Sequence, residues 1–483
     1  MADSTPITSS LIKQHAYIDG QWVGDPIDAI VNPATGETIS HVPHLGQQAA
    51  QDAVTAAQAA LQDWSGKLAT DRAALLRRWF DLIQEHREEL ATILTSEQGK
   101  PIAEARGEID YAASFVEFYA EQAKRIHGEI LQPHLPNTRV LVTKHPIGVC
   151  AAITPWNFPA AMITRKCAPA MAAGCTVVLK PAPETPLTAL GIAELADRAG
   201  IPAGVLNVVT GDAKAIGQSW CADPRVRLLG FTGSTEIGKL LMSQAASTVK
   251  KVALELGGNA PLIVFADADL NAAVDGAIAA KFRNMGQTCI CANRLLVHAS
   301  IHDQFVELLS QRVAAMTVGN GMNADTQQGP LINDAALQKV QHLVNDAVKC
   351  GARVVTGGKP HALGKTFYQP TVLDRVTSKM EIVREEIFGP VAPVIRFSTE
   401  DEAIEIANDT PYGLAAYFFG RDLGQTFRVA EQLEYGMIGI NSTSLGSAMA
   451  PFGGVKQSGI GREGSHHGIE EFLELKYLLI GGL

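Results

Sequence analysis

The side chain with the greatest chemical potential is the thiol of Cys289, which lies in the polar segment Lys281–Arg294. Upstream of it, Glu255 is followed by two glycines, Gly257 and Gly258. A thiolate attacks efficiently when its pKa is lowered or a base lies nearby, and a carboxylate can act as that base or activate water. Inert core cysteines and turn-capping carboxylates are the alternatives. The polar, glycine-containing context favours covalent catalysis, with Cys289 as the nucleophile and Glu255 as the base.

A rigidly held amide is expected at Asn157. Pro155 and Pro159 flank it in the sequence and restrict the backbone on both sides. A fixed side-chain amide is a suitable donor to a developing oxyanion, together with a backbone N–H. The alternative is an asparagine that only shapes a turn. Asn157 is therefore a candidate third member of the catalytic set.

Two other segments favour a bound phosphate-containing ligand. Phe231–Gly238 reads as a strand followed by a helix, and its two glycines would allow a phosphate to approach the helix N-terminus. The glycine spacing differs from the dinucleotide fingerprint, so this signal is weak alone. Lys180 ends another predicted strand, where a parallel sheet binds its ligands. A solvated loop lysine is the alternative for Lys180.

Composition excludes several classes of protein. The 483 residues carry 40 basic and 50 acidic side chains, a net charge of −10, which argues against nucleic-acid or anionic-membrane partners. No apolar run approaches 18 residues, so no membrane span is expected. The odd, scattered set of seven cysteines favours free thiols in a reducing cytoplasm. No His/Cys spacing is typical of a zinc site, so no metal is predicted.

The order of predicted elements indicates an α/β fold. Residues 47–126 are helical in pattern, with Gly99 and Pro101 dividing two long helices. Strands and helices then alternate as two doubly wound parallel-sheet lobes that join near residue 260. Between the helices and the first lobe, residues 131–149 resemble a β hairpin arm.

These motifs, taken together, make the chain resemble the aldehyde dehydrogenase superfamily along nearly its whole length. The motifs occur in the family's order and spacing, and the likeness is greatest to the succinate-semialdehyde dehydrogenase branch. They are Asn157, Lys180, Phe231–Gly238, Glu255–Gly258, Cys289, Glu386–Pro390 and Pro451–Gly454, with Arg165, Lys281–Arg294 and Gly459–Lys476 for the branch.

The resemblance implies a set of catalytic roles. Cys289 would form a thiohemiacetal and then a thioester, while Asn157 would hold the oxyanion. Glu255 would activate the water that hydrolyses the thioester. Coenzyme-A-acylating relatives generally lack this carboxylate, so the free acid is the expected product.

The resemblance also implies NAD or NADP as cofactor in a Rossmann-like domain. A carboxylate commonly lies three residues after the lysine in NAD-preferring members, and here that position is Pro183, with Glu184 next. This departure favours tolerance of NADP. The implied cofactor-binding residues are Thr154, Pro155, Trp156, Lys180, Pro183, Glu184, Gly211, Gly233, Ser234, Leu256, Glu386 and Phe388.

A cationic pocket would accept a small ω-anionic aldehyde, because guanidinium groups suit carboxylates and sulfonates. The alternative is that the arginines pair with neighbouring carboxylates. The branch usually has a serine where this chain has Gly446, so glutarate semialdehyde and sulfolactaldehyde are alternatives to succinate semialdehyde. The candidate substrate-binding residues are Arg165, Arg283, Phe158, Ser447 and Phe452.

The implied domain division has a cofactor domain over 1–130 and 150–258 and a catalytic domain over 259–440. Residues 131–149 and 470–483 would form an oligomerisation arm of a homodimer or homotetramer. Cys291 and Cys289 could form a redox switch through reversible oxidation, although a disulfide between cysteines two residues apart is strained. A family member recruited as a non-catalytic binding or structural protein is the competing hypothesis.

Overall fold

The computed structural model describes residues 9–483. Its amino-terminal half begins with four short strands and four helices, and then alternates between strands and helices. The elements are β1 (Ala16–Ile18), β2 (Gln21–Val23), β3 (Pro26–Val31), β4 (Thr38–Pro43), α1 (Gln47–Gly66), α2 (Ala69–Glu85), α3 (Arg87–Gln98), α4 (Ile102–Gln122), β5 (Glu129–Leu131), β6 (Thr138–Pro146), β7 (Val149–Ile153), α5 (Ala161–Ala173), β8 (Thr176–Lys180), α6 (Pro186–Arg198), β9 (Leu206–Val208), α7 (Ala213–Ala222), β10 (Val226–Thr232), α8 (Thr235–Ala245) and β11 (Lys251–Glu255).

The carboxyl-terminal half contains a second alternating region and ends in a long strand. Its elements are β12 (Ala260–Val264), α9 (Leu270–Phe282), β13 (Ala292–His298), α10 (His302–Ala314), α11 (Asp334–Lys349), β14 (Arg353–Thr356), β15 (Thr371–Asp374), α12 (Glu381–Arg384), β16 (Val391–Phe397), α13 (Glu400–Asn408), β17 (Ala415–Phe419), α14 (Leu423–Gln432), β18 (Met437–Ile440), β19 (Gly459–Ile460), α15 (Ser465–Glu470) and β20 (Leu473–Gly481).

The first sheet has the strand order β19-β11-β10-β7-β8-β9-β1-β2. Strands β7 to β11 are parallel, whereas β1, β2 and β19 pair in the antiparallel sense at the edges. The central strands are almost wholly buried because helices cover both faces. This lobe is the doubly wound sheet that the alternation predicts.

The second sheet has the order β14-β15-β16-β13-β12-β17-β18, and only β14 runs antiparallel. Two apolar clusters on its opposite faces pack against the helices of this lobe. The prediction of two parallel-sheet lobes is therefore confirmed.

A separate sheet of three antiparallel strands, β5, β6 and β20, projects from the lobes. Its strand β20 comes from the end of the chain and pairs along all nine residues of β6, so the sequence-predicted hairpin arm gains a third strand. Exposed apolar side chains stand on this arm, including Ile130, Leu475 and Tyr477.

The helical region differs from the prediction of two long helices. Four helices form, because the chain is extended at Lys67 and Leu68 and turns again at His86. The apolar stripe continues across these breaks, so periodicity alone does not reveal them. Gly99, with a positive φ of 95°, ends the third helix as the sequence predicts.

The chain also returns to the first lobe after the second is complete. Strand β19 pairs with β11, and α15 packs on α4 and α5. Residues 441–469, which fall outside the predicted domain ranges, thus close over the junction between the lobes. Among residues 9–483, no helix combines the length and apolar character needed to cross a membrane.

Candidate active site

The polar residues of the first lobe gather at one edge of its sheet. Strands β7, β8, β9, β10 and β11 are parallel and adjacent, so the residues that follow them share the carboxyl edge. The predicted cofactor residues Thr154, Lys180, Gly211, Gly233 and Leu256 lie at these ends or within three residues of them. This edge is where open α/β sheets bind their ligands.

A cleft of about 1110 Å³, open to solvent, lies between this edge and the second lobe. Its walls bring together seven of the twelve predicted cofactor residues with Cys289, Asn157 and Phe158. The lining residues are Pro155, Trp156, Asn157, Phe158, Met162, Thr232, Gly233, Ser234, Leu256, Gly257, Cys289, Ala335, Ala336, Lys339, Glu386, Ile387 and Phe388.

Cys289 is half-buried and stands in the loop between α9 and β13. Asn284 and Met285 adopt left-handed backbone conformations there, which reverses the chain after the helix. The Gln287 side chain accepts a hydrogen bond from the Ile332 N–H at 3.0 Å and fixes the loop against the second lobe. Burial, reinforced by the charge of Glu386, raises the pKa of the Cys289 thiol to about 12.

Hydrogen bonds hold both the side chain and the backbone of Asn157 in place. Its Nδ2 donates to the Gln287 carbonyl at 3.0 Å, which leaves the second amide hydrogen free. The Lys100 ammonium donates to the Asn157 carbonyl at 2.8 Å and pairs with Glu108 at 2.5 Å. The Glu108 carboxylate in turn accepts the Ala160 N–H at the start of α5. The amide is thus held at the wall of the cleft.

Glu255 ends β11 and is buried beside the cleft, behind the lining residues Leu256 and Gly257. Its Oε2 has no hydrogen-bond partner among the described residues. Burial and the negative charge of Glu463 raise its pKa well above the ordinary range. Glu463 itself has a lowered pKa, because the attraction of Lys166 and Arg165 outweighs its own burial. The two carboxylates therefore differ in proton affinity.

Glu386 contributes a carboxylate from the second lobe. Its Oε1 accepts the Gly258 N–H at 3.1 Å, and burial raises its pKa to about 7. Nearby, the Phe388 ring meets the Trp156 indole edge to face, with centroids 5.5 Å apart. The two lobes touch across the cleft at both of these contacts.

The predicted cofactor residues that do not line the cleft lie farther along the carboxyl edge of the first sheet. Lys180 is almost fully buried, so the solvated-loop alternative is wrong for this lysine. Burial lowers its pKa to about 8, against the opposing charges of Glu184 and Asp212. Pro183, at the exposed end of the same turn, leaves Glu184 as the nearest following carboxylate.

Ser234 caps α8, because its hydroxyl accepts the Ile237 N–H at 3.4 Å. Gly238, one turn into this helix, faces Leu256, where an added Cβ would come within 2.3 Å of a methyl group. The glycine therefore allows the N-terminal end of α8 to approach the strand end closely. An anion at this helix end would meet free N–H groups and the positive end of the dipole.

The predicted substrate arginines have different environments. Arg165 is buried and lies 2.7 Å from a carboxylate oxygen of Glu463, so the pairing alternative holds for this residue. Its guanidinium also stacks over the Phe452 ring at 4.0 Å. Arg283 is exposed, forms no ion pair with a described residue, and stands over the Phe158 ring at 4.9 Å.

Of the five predicted substrate residues, only Phe158 lines the cleft with Cys289. Ser447 is half-buried, and its hydroxyl accepts the Met449 N–H at 3.2 Å. Phe452 is buried beneath Arg165 and pairs its backbone with that of Glu463. The substrate-binding roles of these residues stay predictions.

Comparison with known proteins places this geometry in one family. The model of the aldehyde dehydrogenase family matches residues 23–478. The chain is 56% identical over 479 residues to glutarate-semialdehyde dehydrogenase of Pseudomonas aeruginosa, covering 98% of this chain and 99% of the relative. It is 54% identical over 478 residues to 3-sulfolactaldehyde dehydrogenase of Pseudomonas putida, covering 98% of each. This chain belongs to the aldehyde dehydrogenase family.

The solved structures agree. The crystal structure of succinate-semialdehyde dehydrogenase from Burkholderia pseudomallei matches with a TM-score of 0.97 at 55% identity, covering 100% of both chains. The predictions of family, fold class and enzyme class are confirmed: the chain is an aldehyde dehydrogenase that uses NAD or NADP. These relatives favour the enzyme over the non-catalytic alternative.

In this aldehyde dehydrogenase, Cys291 differs in setting from the predicted nucleophile. Its thiol is buried, donates to the Lys281 carbonyl at 3.3 Å and does not line the cleft. Burial raises its pKa, so the thiolate is scarce near neutral pH. The redox switch therefore stays a prediction without a shared cavity to support it.

Several buried ionic residues surround the predicted site residues and were not predicted from the sequence. Lys100 and Glu108 lie eight residues apart on opposite sides of Pro101, and the helical pattern gives no reason to pair them. Lys166 and Glu463 meet across nearly 300 residues of chain. The only signal is a charged residue within an otherwise apolar helix, as at Lys166 in α5.

Proposed function

We propose that this aldehyde dehydrogenase oxidises a small ω-anionic aldehyde, of the succinate-semialdehyde type, to the free acid with NAD+ or NADP+. This proposal is supported above all by one observation. Cys289 and Asn157 line the same cleft, and the buried carboxylate of Glu255 lies beside it. The relatives that oxidise succinate semialdehyde, glutarate semialdehyde and sulfolactaldehyde, according to their names, support the substrate class.

The reaction begins with addition of the Cys289 sulfur to the aldehyde carbon. The free hydrogen of the Asn157 amide and the Cys289 backbone N–H stabilise the oxyanion of the thiohemiacetal. Because burial keeps the thiol protonated near neutral pH, the thiol proton passes to water in the solvent-open cleft as the carbon–sulfur bond forms. When bound, NAD+ or NADP+ would supply the hydride acceptor for oxidation of the thiohemiacetal to the thioester.

Hydrolysis requires a base that is deprotonated yet basic near neutral pH. Burial and the negative charge of Glu463 raise the pKa of Glu255, so its carboxylate is a stronger base than that of an exposed glutamate. Its carboxylate accepts a proton from water as the water adds to the thioester, which releases the acid and the Cys289 thiol. Glu463 lies within charge range of Glu255, and Lys166 and Arg165 hold it ionised, so it opposes ionisation of the base without competing for its proton.

The sheet edge fits a dinucleotide. We assign the pyrophosphate to the N-terminal end of α8 at Ser234, and the adenosine ribose to Lys180. Glu386 would hold the nicotinamide ribose, with Phe388 beside the ring. The negative charge of Glu184 lies within range of Lys180, which weakens the prediction that NADP is tolerated. Activity with both NAD+ and NADP+ is therefore expected.

The substrate's anion is expected at Arg283. Arg165 shares the Glu463 carboxylate with Lys166, and Lys100 pairs with Glu108. Arg283 carries no ion pair with a described residue and stands over Phe158 in the cleft wall. An unpaired guanidinium near the nucleophile suits a carboxylate or sulfonate.

The test is kcat/KM for a panel of aldehydes, followed by formation of reduced cofactor with NAD+ and NADP+. Succinate semialdehyde and glutarate semialdehyde should exceed the uncharged aldehydes butanal and pentanal by about 100-fold. Arg283→Met should remove most of this preference, whereas Arg312→Met, on the far side of the second lobe, should not change it. A preference for the uncharged aldehydes would contradict the proposal.

We further propose that the chain forms a homodimer or homotetramer through the arm of β5, β6 and β20. Exposed apolar side chains on a three-stranded sheet are a poor surface for a free monomer. Leu475 and Tyr477 are 66% and 56% exposed, and Ile130 is 81% exposed. Sedimentation of the L475E/Y477E double variant should give monomers where the parent chain gives oligomers.

The domain division predicted from the sequence is retained as part of this proposal. The division has a cofactor domain over 1–130 and 150–258, a catalytic domain over 259–440, and an arm over 131–149 and 470–483. The sheets of the described residues follow these ranges, except that β5 of the arm begins at Glu129, inside the first range. We also propose that the enzyme works in the cytoplasm. All seven cysteines are free thiols in the structure, which supports a reducing compartment.

A further inference from the structure

A closed ring of hydrogen bonds joins the predicted oxyanion donor to the loop of the nucleophile. The Asn157 amide donates to the Gln287 carbonyl at 3.0 Å. The Asn284 amide donates to the same Gln287 carbonyl at 3.2 Å and to the Asn157 carbonyl at 3.0 Å. Asn157 follows β7 of the first lobe, whereas Asn284 and Gln287 precede Cys289 in the second. The ring therefore ties the loop of Cys289 to Asn157 across the boundary between the lobes.

Backbone groups fix the orientation of the Asn284 amide. The Lys100 backbone N–H donates to the Gln98 side-chain oxygen at 2.9 Å, so the other end of that amide is the donor. The Gln98 Nε2 donates to the Asn284 Oδ1 at 3.0 Å. Because a backbone N–H only donates and a carbonyl only accepts, both amides have one orientation that satisfies all their partners. The Asn284 Nδ2 thus faces the two carbonyls of the ring.

Asn284 is completely buried, and its backbone is bonded as fully as its side chain. Its N–H donates to the Glu104 carboxylate at 2.8 Å, and its carbonyl accepts the Gln287 N–H at 2.9 Å. Its φ of 50° and ψ of 38° lie in the left-handed region, which asparagine tolerates better than most residues. The position needs both this backbone conformation and an amide, and glycine would meet only the first requirement.

Oxyanion stabilisation depends strongly on the position of the donor. A donor contributes when it stands about 3 Å from the oxygen on which charge develops. The Asn157 amide has one hydrogen in the ring and a second that is free, so the ring sets the direction of the free hydrogen. Without the Asn284 amide, the Gln287 carbonyl loses one of its two donors and the Asn157 carbonyl loses its bond to the nucleophile loop.

We propose that Asn284 is a positioning residue, which acts through Asn157 and fixes the direction of the oxyanion donor relative to Cys289. This inference rests on the role of Asn157 in the proposed function. Asn284 does not line the cleft, so its loss should affect the chemical steps more than cofactor binding. Every aldehyde gives the same oxyanion, so the effect should not depend on the distal group of the substrate.

Asn284→Gly tests the inference, because glycine keeps the left-handed backbone while the amide is removed. We expect kcat to fall about 10-fold with succinate semialdehyde and equally with pentanal, since small displacements of a catalytic group slow a reaction strongly. The Kd for NAD+, measured through the fluorescence of Trp156 in the cleft wall, should stay within about 2-fold of the parent value because no cleft residue is changed.

A double variant separates positioning from a general structural role. Asn157→Ala alone should lower kcat about 10²-fold, the usual loss for one oxyanion donor. The double variant N157A/N284G should be no slower than Asn157→Ala, because the donor that Asn284 positions is already absent. A combined loss of about 10³-fold, the product of the single losses, would show that Asn284 acts independently of Asn157 and would overturn the inference.

Asn207→Ala is the matched control. Asn207 is also completely buried, and its amide donates to the Val177 and Gly204 carbonyls at 3.2 and 2.8 Å in the first lobe. This variant should unfold at a lower temperature without the loss of kcat that Asn284→Gly shows. An equal loss of kcat in both variants would mean that any buried amide has this effect, which contradicts a specific role for Asn284.

Asn284→Asp decides the question if the glycine variant does not fold. Aspartate keeps the size of the side chain and tolerates the left-handed backbone. In either protonation state it lacks at least one of the two hydrogens that the amide gives to the carbonyls. We expect a loss of kcat of about 10-fold, and activity equal to that of the parent would overturn the inference.

Failure of this inference can be told apart from failure of the proposed function. A parent enzyme that prefers pentanal to succinate semialdehyde contradicts the proposed substrate class, and the Asn284 variants are then compared with pentanal. Unchanged kcat in Asn284→Gly overturns the positioning role and leaves the proposed function standing. A loss in Asn284→Gly without a loss in Asn157→Ala also overturns it, because the inference requires action through Asn157.

Discussion

The two parallel sheets of this enzyme share an architecture but turn opposite edges toward the active site. The first sheet presents its carboxyl edge, with residues such as Ser234 and Glu255 at the strand ends. The second presents its amino edge, because Cys289 precedes β13 and Glu386 precedes β16. Only the first sheet therefore follows the rule that ligands bind at the carboxyl ends of strands.

The charges at the two edges explain part of this difference. Helices α5, α6, α7 and α8 begin at the carboxyl edge of the first sheet, and their N-termini suit phosphates. At the carboxyl edge of the second sheet, Asp267, Glu400 and Asp422 surround a pocket, and Asp422 itself caps α14. Arg428 lines the same pocket but is paired with Glu400, and Asp212 caps α7 at the first edge. The clearest difference is therefore α8, whose cap is the neutral Ser234, so its N-terminal end is more favourable to an anion than the acid-capped end of α14.

The largest expected effect comes from the second lobe. Cys289→Ala removes the group that forms the thioester, so kcat should fall by about 10⁴-fold or more. Formation of reduced cofactor with a semialdehyde measures it. Cys291→Ala is the matched control. Substantial activity in Cys289→Ala would show that the group that reacts with the aldehyde does not belong to the second lobe.

A smaller loss is expected in the first lobe. Glu255→Gln keeps the size of the side chain but removes the base, and hydrolysis should slow by about 10²–10³-fold. Because the thioester still forms, a burst of reduced cofactor equal to the enzyme concentration should precede slow turnover. Absence of the burst would show that Glu255 serves the attack of Cys289 instead. Glu405→Gln, at an exposed residue of α13, should behave like the parent enzyme.

The pH dependence of Cys289 alkylation tests how burial in the second-lobe loop affects the pKa of the thiol. Since burial and Glu386 raise the thiol pKa to about 12, the thiolate fraction in the free enzyme rises about 10-fold per pH unit up to that value. Alkylation by iodoacetamide, followed by mass spectrometry, should show this slope without a plateau from pH 6 to pH 10. A plateau near neutral pH would mean that the loop stabilises the thiolate.

The smallest effect concerns the first-lobe helix end. Ser234→Ala removes the cap of α8 and should cost about 1 kcal/mol of stability. Thermal unfolding should shift down by about 2 °C, and KM for the cofactor should rise by a few-fold. Ser247→Ala, at the exposed end beyond the same helix, should change neither, and equal shifts in the two variants would argue against the capping role.

Much of the fold was predictable because local patterns dictated it. The alternation of strands and helices predicted the two parallel-sheet lobes, and in the second lobe β16 and β17 coincide with the apolar runs Val391–Phe397 and Ala415–Phe419. Short strands such as β15 and β18 were not predicted, since four residues carry too little pattern. The break near Leu68 was missed although Gly66 ends the first helix, because the apolar stripe continues across it, and no glycine or proline marks the break at His86.

The sequence by itself determined the family, the enzyme class and the list of candidate reacting groups. Those depend on residue types in a fixed order, and Cys289, Glu255 and Asn157 could be named without coordinates. Tertiary structure decided which charges are free, because that depends on pairs formed across long stretches of chain. Glu463 meets Arg165 and Lys166 only after the chain returns to the first lobe, and so Arg283, not Arg165, keeps an unpaired charge.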